Sequence, residues 1–266
     1  MPSSPCSAAS KAVLVTGSAK RLGREIALAL ARDGWDLALH TRTATSDAEA
    51  LKHEIQALGR NACCVHGDLR QAAQVEALFS EAVQALPQLC AVVNNASEFS
   101  FDRPEQASAS LLTSHYQSNV IAPVLLMQRL HAHLNPHHRA GNDPLGVVIN
   151  LLDQKLVNPN PDFFSYTLSK SALLEATRLA AMALAPVLRV VGLAPGITLP
   201  SADQTPEEFK TTHAMTPLGA SSRPSEVADA VVWLAKARAV TGTMLLVDGG
   251  QHLLAQPRDV MMMVRP

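Results

Sequence analysis

The sequence has almost no net charge, because 22 Lys and Arg residues balance 23 Asp and Glu residues to give a formal charge of −1. Nothing in this balance marks a nucleic-acid or membrane partner, so the expected partner is a small molecule. Long hydrophobic runs are lacking as well. The most apolar region, Leu173–Leu188, is interrupted by Glu175 and Arg178, which disfavours a membrane-spanning helix.

Cysteines are scarce, and the four present show none of the paired spacings of a zinc site. Cys63 and Cys64 are neighbours in a segment expected to be a buried strand, so we expect free thiols in a reducing cytoplasm. The segment His131–Pro144 contains four histidines. Its Pro, Asn and Gly content predicts a surface loop, and we expect no bound metal.

Residues 1–10 contain neither a basic leader nor an apolar run, which argues against a secretory signal. We expect them to be a disordered lead-in. The remaining segment, residues 11–266, has the length of one large α/β domain, and we find no internal repeat or second domain in it.

Short apolar runs rich in β-forming residues alternate with helical patterns along the chain. The predicted strands are Ala12–Thr16, Asp36–His40, Ala62–His66, Ala91–Asn94, Gly146–Leu151, Arg189–Leu193 and Met244–Val247. The predicted helices are Gly23–Arg32, Ser46–Leu58, Gln71–Leu86, Leu111–Leu134, Tyr166–Leu184 and Pro224–Ala235. This alternation predicts a single Rossmann-type, doubly wound α/β fold, with about seven parallel strands and helices on both faces.

A glycine-containing loop follows the first predicted strand and opens a helix. It reads Thr16-Gly17-Ser18-Ala19-Lys20-Arg21-Leu22-Gly23. Gly17 permits a tight turn, Gly23 permits close packing of the helix on the sheet, and the helix N-terminus attracts a pyrophosphate. The loop therefore predicts a dinucleotide site, although Arg21 replaces the usual middle glycine and an ordinary strand-to-helix turn remains an alternative.

A tyrosine and a lysine, Tyr166 and Lys170, lie one helical turn apart and share a helix face. A fixed ammonium, together with a cationic nicotinamide, would lower the Tyr166 pKa from its usual value of about 10. The pair is a candidate proton donor, although the same spacing is common on solvated helices.

Further motifs stand in the same order as in a known family. They are Asn94-Asn95-Ala96-Ser97 after the fourth strand, Asn119 in the next helix and Pro195-Gly196 after the sixth strand. With the loop and the Tyr166–Lys170 pair, they resemble the short-chain dehydrogenase/reductase pattern from about Lys11 to Gly250.

This resemblance implies a catalytic role for three side chains. Tyr166 would donate the proton, Lys170 would bind the nicotinamide ribose and lower the tyrosine pKa, and Asn119 would support a water-linked proton relay. Further residues would contact the cofactor, namely Asn94, Asn95, Ala96, Ser97, Pro195 and Gly196, with Asp68 and Leu69 near the adenine. A homotetramer is also implied.

The end of the second strand indicates which cofactor is used. Family members that prefer NAD place an acid there, whereas this sequence has His40-Thr41-Arg42-Thr43. Arg42 and the two hydroxyls can donate to a 2′-phosphate, and Lys20 and Arg21 add positive charge, so NADPH is favoured. Arg42 could also be a solvated loop residue.

The sequence departs from the general family pattern at Asp153, thirteen residues before Tyr166, where most members have a serine. An ionised carboxylate cannot donate a hydrogen bond to a carbonyl, but a carboxyl with a raised pKa can feed a proton towards Tyr166. Asp153, the loop and the segment ending at Phe99 resemble the pteridine reductases and dihydromonapterin reductases.

This closer resemblance implies NADPH-dependent reduction of a dihydropterin or dihydrofolate to the tetrahydro form. Phe99 would stack on the pterin, and Ser97 and Arg21 would hydrogen-bond the pterin and the cofactor phosphates. Alternatively, Phe99 is a core aromatic and Ser97 a turn residue. The loop Thr198–Pro217 is expected to close over the substrate.

Three other functions stay open. The first is reduction of another carbonyl, such as a 3-oxoacyl thioester, a sugar or a xenobiotic ketone, and Asp153 counts against it. The second is NADPH binding without turnover, which the complete set of Asn119, Tyr166 and Lys170 disfavours. The third is a role mainly through oligomer contacts, for which the apolar tail Val260–Val264 offers a surface.

Overall fold

Seven apolar segments form the strands of one parallel sheet in the computed structural model, which describes residues 11–141, 143–201 and 204–264. The strands are β1 (Ala12–Thr16), β2 (Asp36–Thr41), β3 (Ala62–His66), β4 (Leu89–Asn94), β5 (Gly146–Leu151), β6 (Leu188–Pro195) and β7 (Met244–Val247). The predicted strands are confirmed, and β2, β4 and β6 extend slightly beyond the predicted segments. The expected lead-in of residues 1–10 lies outside the described residues.

The sheet order is β3-β2-β1-β4-β5-β6-β7. The chain reverses its direction of winding between β1 and β4, which pair in parallel. Their carboxyl ends therefore flank a crevice of the kind in which doubly wound proteins bind ligands. This crevice collects the loop after β1 and the segment after β4.

Helices cover both faces of the sheet, as predicted. They are α1 (Arg21–Arg32), α2 (Ser46–Ala57), α3 (Ala72–Ala85), α4 (Ala109–Tyr116), α5 (Ala122–Leu134), α6 (Phe164–Ala183), α7 (Pro206–Ala214), α8 (Pro224–Lys236) and α9 (Val260–Met263). Helix α1 packs against α8, and α3 packs against α5. Within the described ranges, no helix is long and apolar enough to cross a membrane.

The helix predicted over Leu111–Leu134 is helical throughout, but a π-helical turn over Gln117–Ile121 divides it into α4 and α5. Both helices have the same apolar period, so the sequence pattern does not reveal the break. Asn119 lies in this wider turn, and its side chain faces the protein interior, where the residue is only 1% exposed. Such turns are frequent at functional sites.

Two helices lie where the sequence predicts none. The expected loop Thr198–Pro217 contains α7, which begins with a capping box between Thr205 and Glu208. A short helix, α9, lies near the end of the described chain and is capped by Asp259, whose side chain accepts from the backbone N–H of Met261. Asp203, part of the predicted loop, lies outside the described residues.

Gly23 allows α1 to approach the sheet closely. A Cβ atom built at this position would overlap the carbonyl oxygen of Gly17 and lie 2.7 Å from the amide nitrogen of Asn95. Both neighbours belong to the two segments that flank the crevice. The absence of a side chain at Gly23 therefore sets the shape of the loop.

We expect Gly23→Ala to lower the free energy of unfolding by about 1–3 kcal/mol, because the new methyl group must displace backbone. Thermal melting would measure this loss. Glu25→Ala, on the same turn of α1, is the control and should melt near the wild-type temperature. An unchanged melting temperature for Gly23→Ala would contradict the close approach.

Candidate active site

The loop after β1 has the backbone shape of a phosphate-binding turn. Gly17 has a φ of +63°, and Arg21 has a φ of +52° at the position where a glycine is usual. No side chain caps the N-terminus of α1 at Lys20, so its amide groups remain available to an anion. The Arg21 guanidinium instead donates to the carbonyl oxygen of Pro200 over 2.8 Å, which ties the loop to the segment before α7.

Hydrogen bonds from neighbouring residues fix the conformation of this loop. The Asn95 amide donates to the carbonyl oxygens of Thr16 and Gly17 over 2.9 and 3.2 Å. The Thr16 hydroxyl accepts from the backbone N–H of Ala96 over 3.0 Å. Asn95 thus reaches the loop through its side chain and Ala96 through its backbone.

His40 is buried, so its ring faces the protein interior. One ring nitrogen accepts from the Gly17 N–H, and the other lies 2.9 Å from the carbonyl oxygen of Gly67. Burial lowers the pKa of His40, which favours the neutral ring that this arrangement needs. The His40 ring therefore supports the loop, and the predicted contact of His40 with the cofactor stays a prediction.

Arg42 and Thr43 are exposed at the end of β2, where a 2′-phosphate was expected. Asp68 lies beside them, and the Arg70 guanidinium that donates to it holds the Asp68 pKa at about 2. Leu69, which lies between Asp68 and Arg70 in the sequence, is buried. Sequence reasoning missed Arg70, although its position two residues after Asp68 makes the contact local.

The centre of the site is a hydrogen bond between two groups thirteen residues apart. The Tyr166 hydroxyl donates to Asp153 Oδ2 over 2.9 Å. Asp153 follows β5, Tyr166 lies in the first turns of α6, and the Asp153 Oδ1 atom accepts from the backbone N–H of Lys155 over 2.9 Å. The aspartate therefore has one oxygen fixed by the backbone and one directed at the phenol.

The acid–base properties of this pair differ from the expectation. Burial raises the pKa of Asp153, and burial together with the Asp153 carboxylate raises the pKa of Tyr166 well above its usual value. In the protein alone, burial and Asp153 thus oppose the lowering of the tyrosine pKa that was expected from Lys170 and a bound nicotinamide, and that lowering stays a prediction. Both groups hold their protons more tightly, which suits a site that stores a proton.

Lys170 is buried at 2% exposure, and its ammonium donates to the carbonyl oxygen of Leu151 over 2.7 Å. Burial lowers its pKa to about 8. The ammonium lies 5.7 Å from the centre of the Tyr166 ring. It is thus fixed beside the phenol, at the carboxyl end of β5.

Asn119 joins the segment after β4 to α6. Its side-chain oxygen accepts from the backbone N–H of Glu98 over 2.8 Å, and its amide donates to the hydroxyl of Ser169 over 3.0 Å. The structure thus brings the predicted Asn119 to the site. Ser169, three residues after Tyr166, was not predicted and has no motif that would reveal it.

Phe99 is 46% exposed, so the alternative of a core aromatic is wrong. Its ring stacks on that of Phe163 with a centroid separation of 4.3 Å, and it meets the Tyr166 ring edge-on at 4.7 Å. Ser97 is also exposed, and its hydroxyl donates to the carbonyl oxygen of Glu98. Phe163 was missed by sequence reasoning.

Two adjoining cavities meet at the Asp153–Tyr166 pair. One runs towards the loop after β1 and is lined by Arg21, Leu22, Asn95, Ser97, Leu151, Leu152, Lys170 and Pro195. The other is lined by Phe99, Lys155, Phe163, Gln204, Gln251, Asp259 and Met261. Both include Gly196, where a Cβ atom would overlap Ser221.

The first cavity suits a dinucleotide. It offers the uncapped α1 N-terminus and a buried ammonium, and the nearby Asn94 Oδ1 is a buried acceptor with no hydrogen-bond partner among the described residues. The second cavity offers a phenol, a carboxyl group and an exposed aromatic ring to a flat, polar substrate. Together the two cavities can bring a hydride donor and a proton donor to the same substrate molecule. No group of three metal-ligating side chains occurs in the described part of the chain.

Comparisons with known proteins agree with this geometry. Residues 17–252 match the family described as enoyl-(acyl carrier protein) reductase. The chain is 31% identical over 282 residues to pteridine reductase 1 of Leishmania tarentolae, covering 90% of this chain and 96% of the relative. It is 28% identical over 257 residues to the 3-oxoacyl-[acyl-carrier-protein] reductase FabG of Staphylococcus aureus, covering 91% and 98%.

A solved structure is also similar. It is that of FolM alternative dihydrofolate reductase 1 from Brucella canis complexed with NADP, with a TM-score of 0.84 and 37% identity. The match covers 92% of this chain and 96% of that chain. The extent of these matches confirms the resemblance found in the sequence motifs, and the chain belongs to the short-chain dehydrogenase/reductase family of oxidoreductases.

Proposed function

We propose that the protein uses NADPH to reduce a dihydropterin or dihydrofolate to the tetrahydro form. The observation that carries this proposal is the half-buried Asp153 carboxyl group, 2.9 Å from the Tyr166 hydroxyl. The relatives support it, since they include a pteridine reductase and a structure described as a dihydrofolate reductase complexed with NADP.

The chemistry explains why an acid suits this substrate. Bound NADPH supplies a hydride to the ring carbon of a C=N bond, and the ring nitrogen gains a proton as the π bond breaks. Tyr166 gives this proton, and protonated Asp153 returns one to the phenolate through their hydrogen bond. Burial raises the pKa of Asp153, which favours the protonated form that this step needs.

The first cavity and its rim hold NADPH in this proposal. The α1 N-terminus binds the pyrophosphate, Lys170 and Tyr166 bind the nicotinamide ribose, and Asn119 supports the water-linked relay. The remaining contacts come from Gly17, Lys20, Arg21, Leu22, Gly23, His40, Asp68, Leu69, Asn95, Ala96, Ser97, Pro195 and Gly196.

The choice of NADPH over NADH rests on the rim of the cavity. Arg42 and Thr43 are exposed at the end of β2 and can donate to a 2′-phosphate. Asp68, whose carboxylate interacts with Arg42, is paired with the Arg70 guanidinium. Lys20 pairs with the exposed Asp47 over 2.9 Å, and it can exchange that surface partner for a phosphate at little cost.

The substrate lies between the nicotinamide and Phe99. One face of the Phe99 ring is covered by Phe163, and the exposed part of the ring is available for stacking on a pterin. Ser97 and Arg21 hydrogen-bond the pterin and the cofactor phosphates on the side of the loop.

A second candidate is reduction of a carbonyl, such as a 3-oxoacyl thioester. The family description and the similarity to a 3-oxoacyl reductase favour it. Asp153 opposes it, because the serine hydroxyl that would donate to a carbonyl oxygen is absent, and the two Asp153 oxygens are engaged by the Tyr166 hydroxyl and the Lys155 N–H. Binding without turnover is the weaker alternative, since binding alone needs neither Tyr166 nor Asp153.

A cytoplasmic homotetramer is part of the same proposal. Large apolar side chains are exposed on α4 and α6, which pack side by side; they are Tyr116, Leu168, Leu179 and Met182. A second copy could cover this surface.

The function predicts a preference among substrates. We expect kcat/KM for a dihydropterin or dihydrofolate to exceed that for a simple ketone or a 3-oxoacyl thioester by about tenfold or more. Oxidation of NADPH, followed by its absorbance, measures each value. A higher kcat/KM for either carbonyl substrate would reject the proposal in favour of the second candidate.

The proton route predicts the effect of Asp153→Asn. The variant keeps an oxygen for the Lys155 amide but loses the acid, so turnover of a dihydropterin should fall by about 10² or more. NADPH binding, measured by titration, should be unchanged. Wild-type turnover in Asp153→Asn would show that Asp153 is structural.

Stacking predicts the effect of Phe99→Ala. Loss of one aromatic contact should weaken substrate binding by roughly 5- to 150-fold and appear mainly in KM. The melting temperature should change little, because Phe99 is half exposed. Phe163→Ala removes a buried ring, so this matched control should lower the melting temperature. An unchanged KM for Phe99→Ala would remove Phe99 from the substrate site.

A further inference from the structure

A buried lysine, Lys155, follows Asp153 in the sequence and lines the same cavity. It is 4% exposed, and its backbone N–H donates to the Asp153 carboxylate. Its ammonium donates to the carbonyl oxygen of Asp162 over 2.5 Å and lies 3.4 Å from Asp259 Oδ2. Because a buried ammonium is costly without a counter-charge, Asp259 is its essential partner.

Asp259 reaches this position because a second carboxylate holds the carboxy-terminal segment. Asp162 is fully buried, and its Oδ2 atom accepts from the backbone N–H of Asp259 over 2.9 Å and from Arg258 Nε over 2.7 Å. Two residues further on, Met261 is buried in one apolar cluster with Phe163 and Tyr166. The segment is thus fixed on both sides of Asp259, over the cavity of the proton donor.

Lys155 and Asp259 act in opposite directions on the proton donors. The Lys155 ammonium lowers the pKa of Asp153, whereas the Asp259 carboxylate raises the pKa of both Asp153 and Tyr166. The other titratable groups that face Asp153 among the described residues are Tyr166 and Lys170, both on α6. The charges that act in opposite directions on Asp153 therefore come from the turn after β5 and from the carboxy-terminal segment.

We propose that Lys155 and Asp259 are positioning residues that set the proton affinity of Asp153, which makes the carboxy-terminal segment part of the catalytic unit. The proposal rests on the proposed function, since it requires that Asp153 supplies the proton. Neither residue touches the reacting atoms. If the pair merely anchors the segment, its removal affects stability and leaves the pH dependence of the reaction in place.

Two substitutions separate these roles. Asp259→Asn removes the negative charge and keeps the shape, and Lys155→Met removes the ammonium and keeps the length. Single-turnover oxidation of NADPH by a dihydropterin is measured against pH, together with the melting temperature. We expect this rate to fall towards high pH, as Asp153 loses its proton, and this falling part of the profile is its alkaline limb.

The two variants should shift this alkaline limb in opposite directions. Loss of the Asp259 charge lowers the pKa of Asp153, so the limb moves to lower pH, and loss of the Lys155 charge moves it to higher pH. We expect each shift to be roughly half a pH unit or more, about a threefold change in rate on the limb. The double variant should return close to the wild-type profile.

Asp143→Asn is the matched control, because it removes an exposed carboxylate that pairs with Arg238 far from the site, and it should leave the limb in place. Unshifted limbs, or shifts in the same direction, would overturn the proposal. Should Lys155→Met fail to fold, the direction of the shift in Asp259→Asn decides alone. A wild-type protein that reduces ketones but no pterin would reject the proposed function as well, whereas pterin turnover with unshifted limbs rejects only the positioning role.

Discussion

The hydrogen bond between the Tyr166 hydroxyl and the Asp153 carboxyl group is the interaction on which the site depends. Burial raises the pKa of both groups, which favours their protonated forms, and the bond lies where the two cavities meet. A serine at position 153 could donate a hydrogen bond to a carbonyl but could not hold a proton for transfer. The acid therefore decides between two chemistries that the same fold supports.

The fold makes this hydrogen bond possible by bringing four chain segments together at the carboxyl ends of the strands. The reversal between β1 and β4 opens the crevice, the loop after β1 forms one side of it, and the π-helical turn at Asn119 links the segment after β4 to α6. The buried Lys170 ammonium, held by the Leu151 carbonyl, fixes a positive charge beside Tyr166. Hydrogen bonds to the backbone hold the side chains of Asn95, Asn119 and Lys170 in these positions.

The sequence predicts the sheet well, because each strand is a short apolar run bounded by a helical pattern. It predicts the residues at the site because they stand in short motifs, such as Tyr166 and Lys170 on one helix face. It misses α7, which is short and polar, although Thr205 and Glu208 have the spacing of a capping box. That local signal was sufficient to place the start of the helix.

Other features depend on contacts between distant residues and cannot be read from a local pattern. The π-helical turn has the same apolar period as its neighbours, and the raised Tyr166 pKa follows from burial first and from the Asp153 carboxylate second. The contact of Lys155 with Asp259 joins the middle of the chain to its end. Only the folded chain shows which charges meet.

The most direct test of this chemistry uses NADPH that carries deuterium at its transferable position. Mixed with the protein and a dihydropterin, it should yield a tetrahydropterin with one deuterium on the reduced ring carbon, as seen by mass spectrometry and NMR. The new N–H hydrogen comes from the protein and exchanges with solvent. A product without deuterium on that carbon, or no tetrahydropterin while NADPH reduces a carbonyl compound, would contradict the proposed reaction.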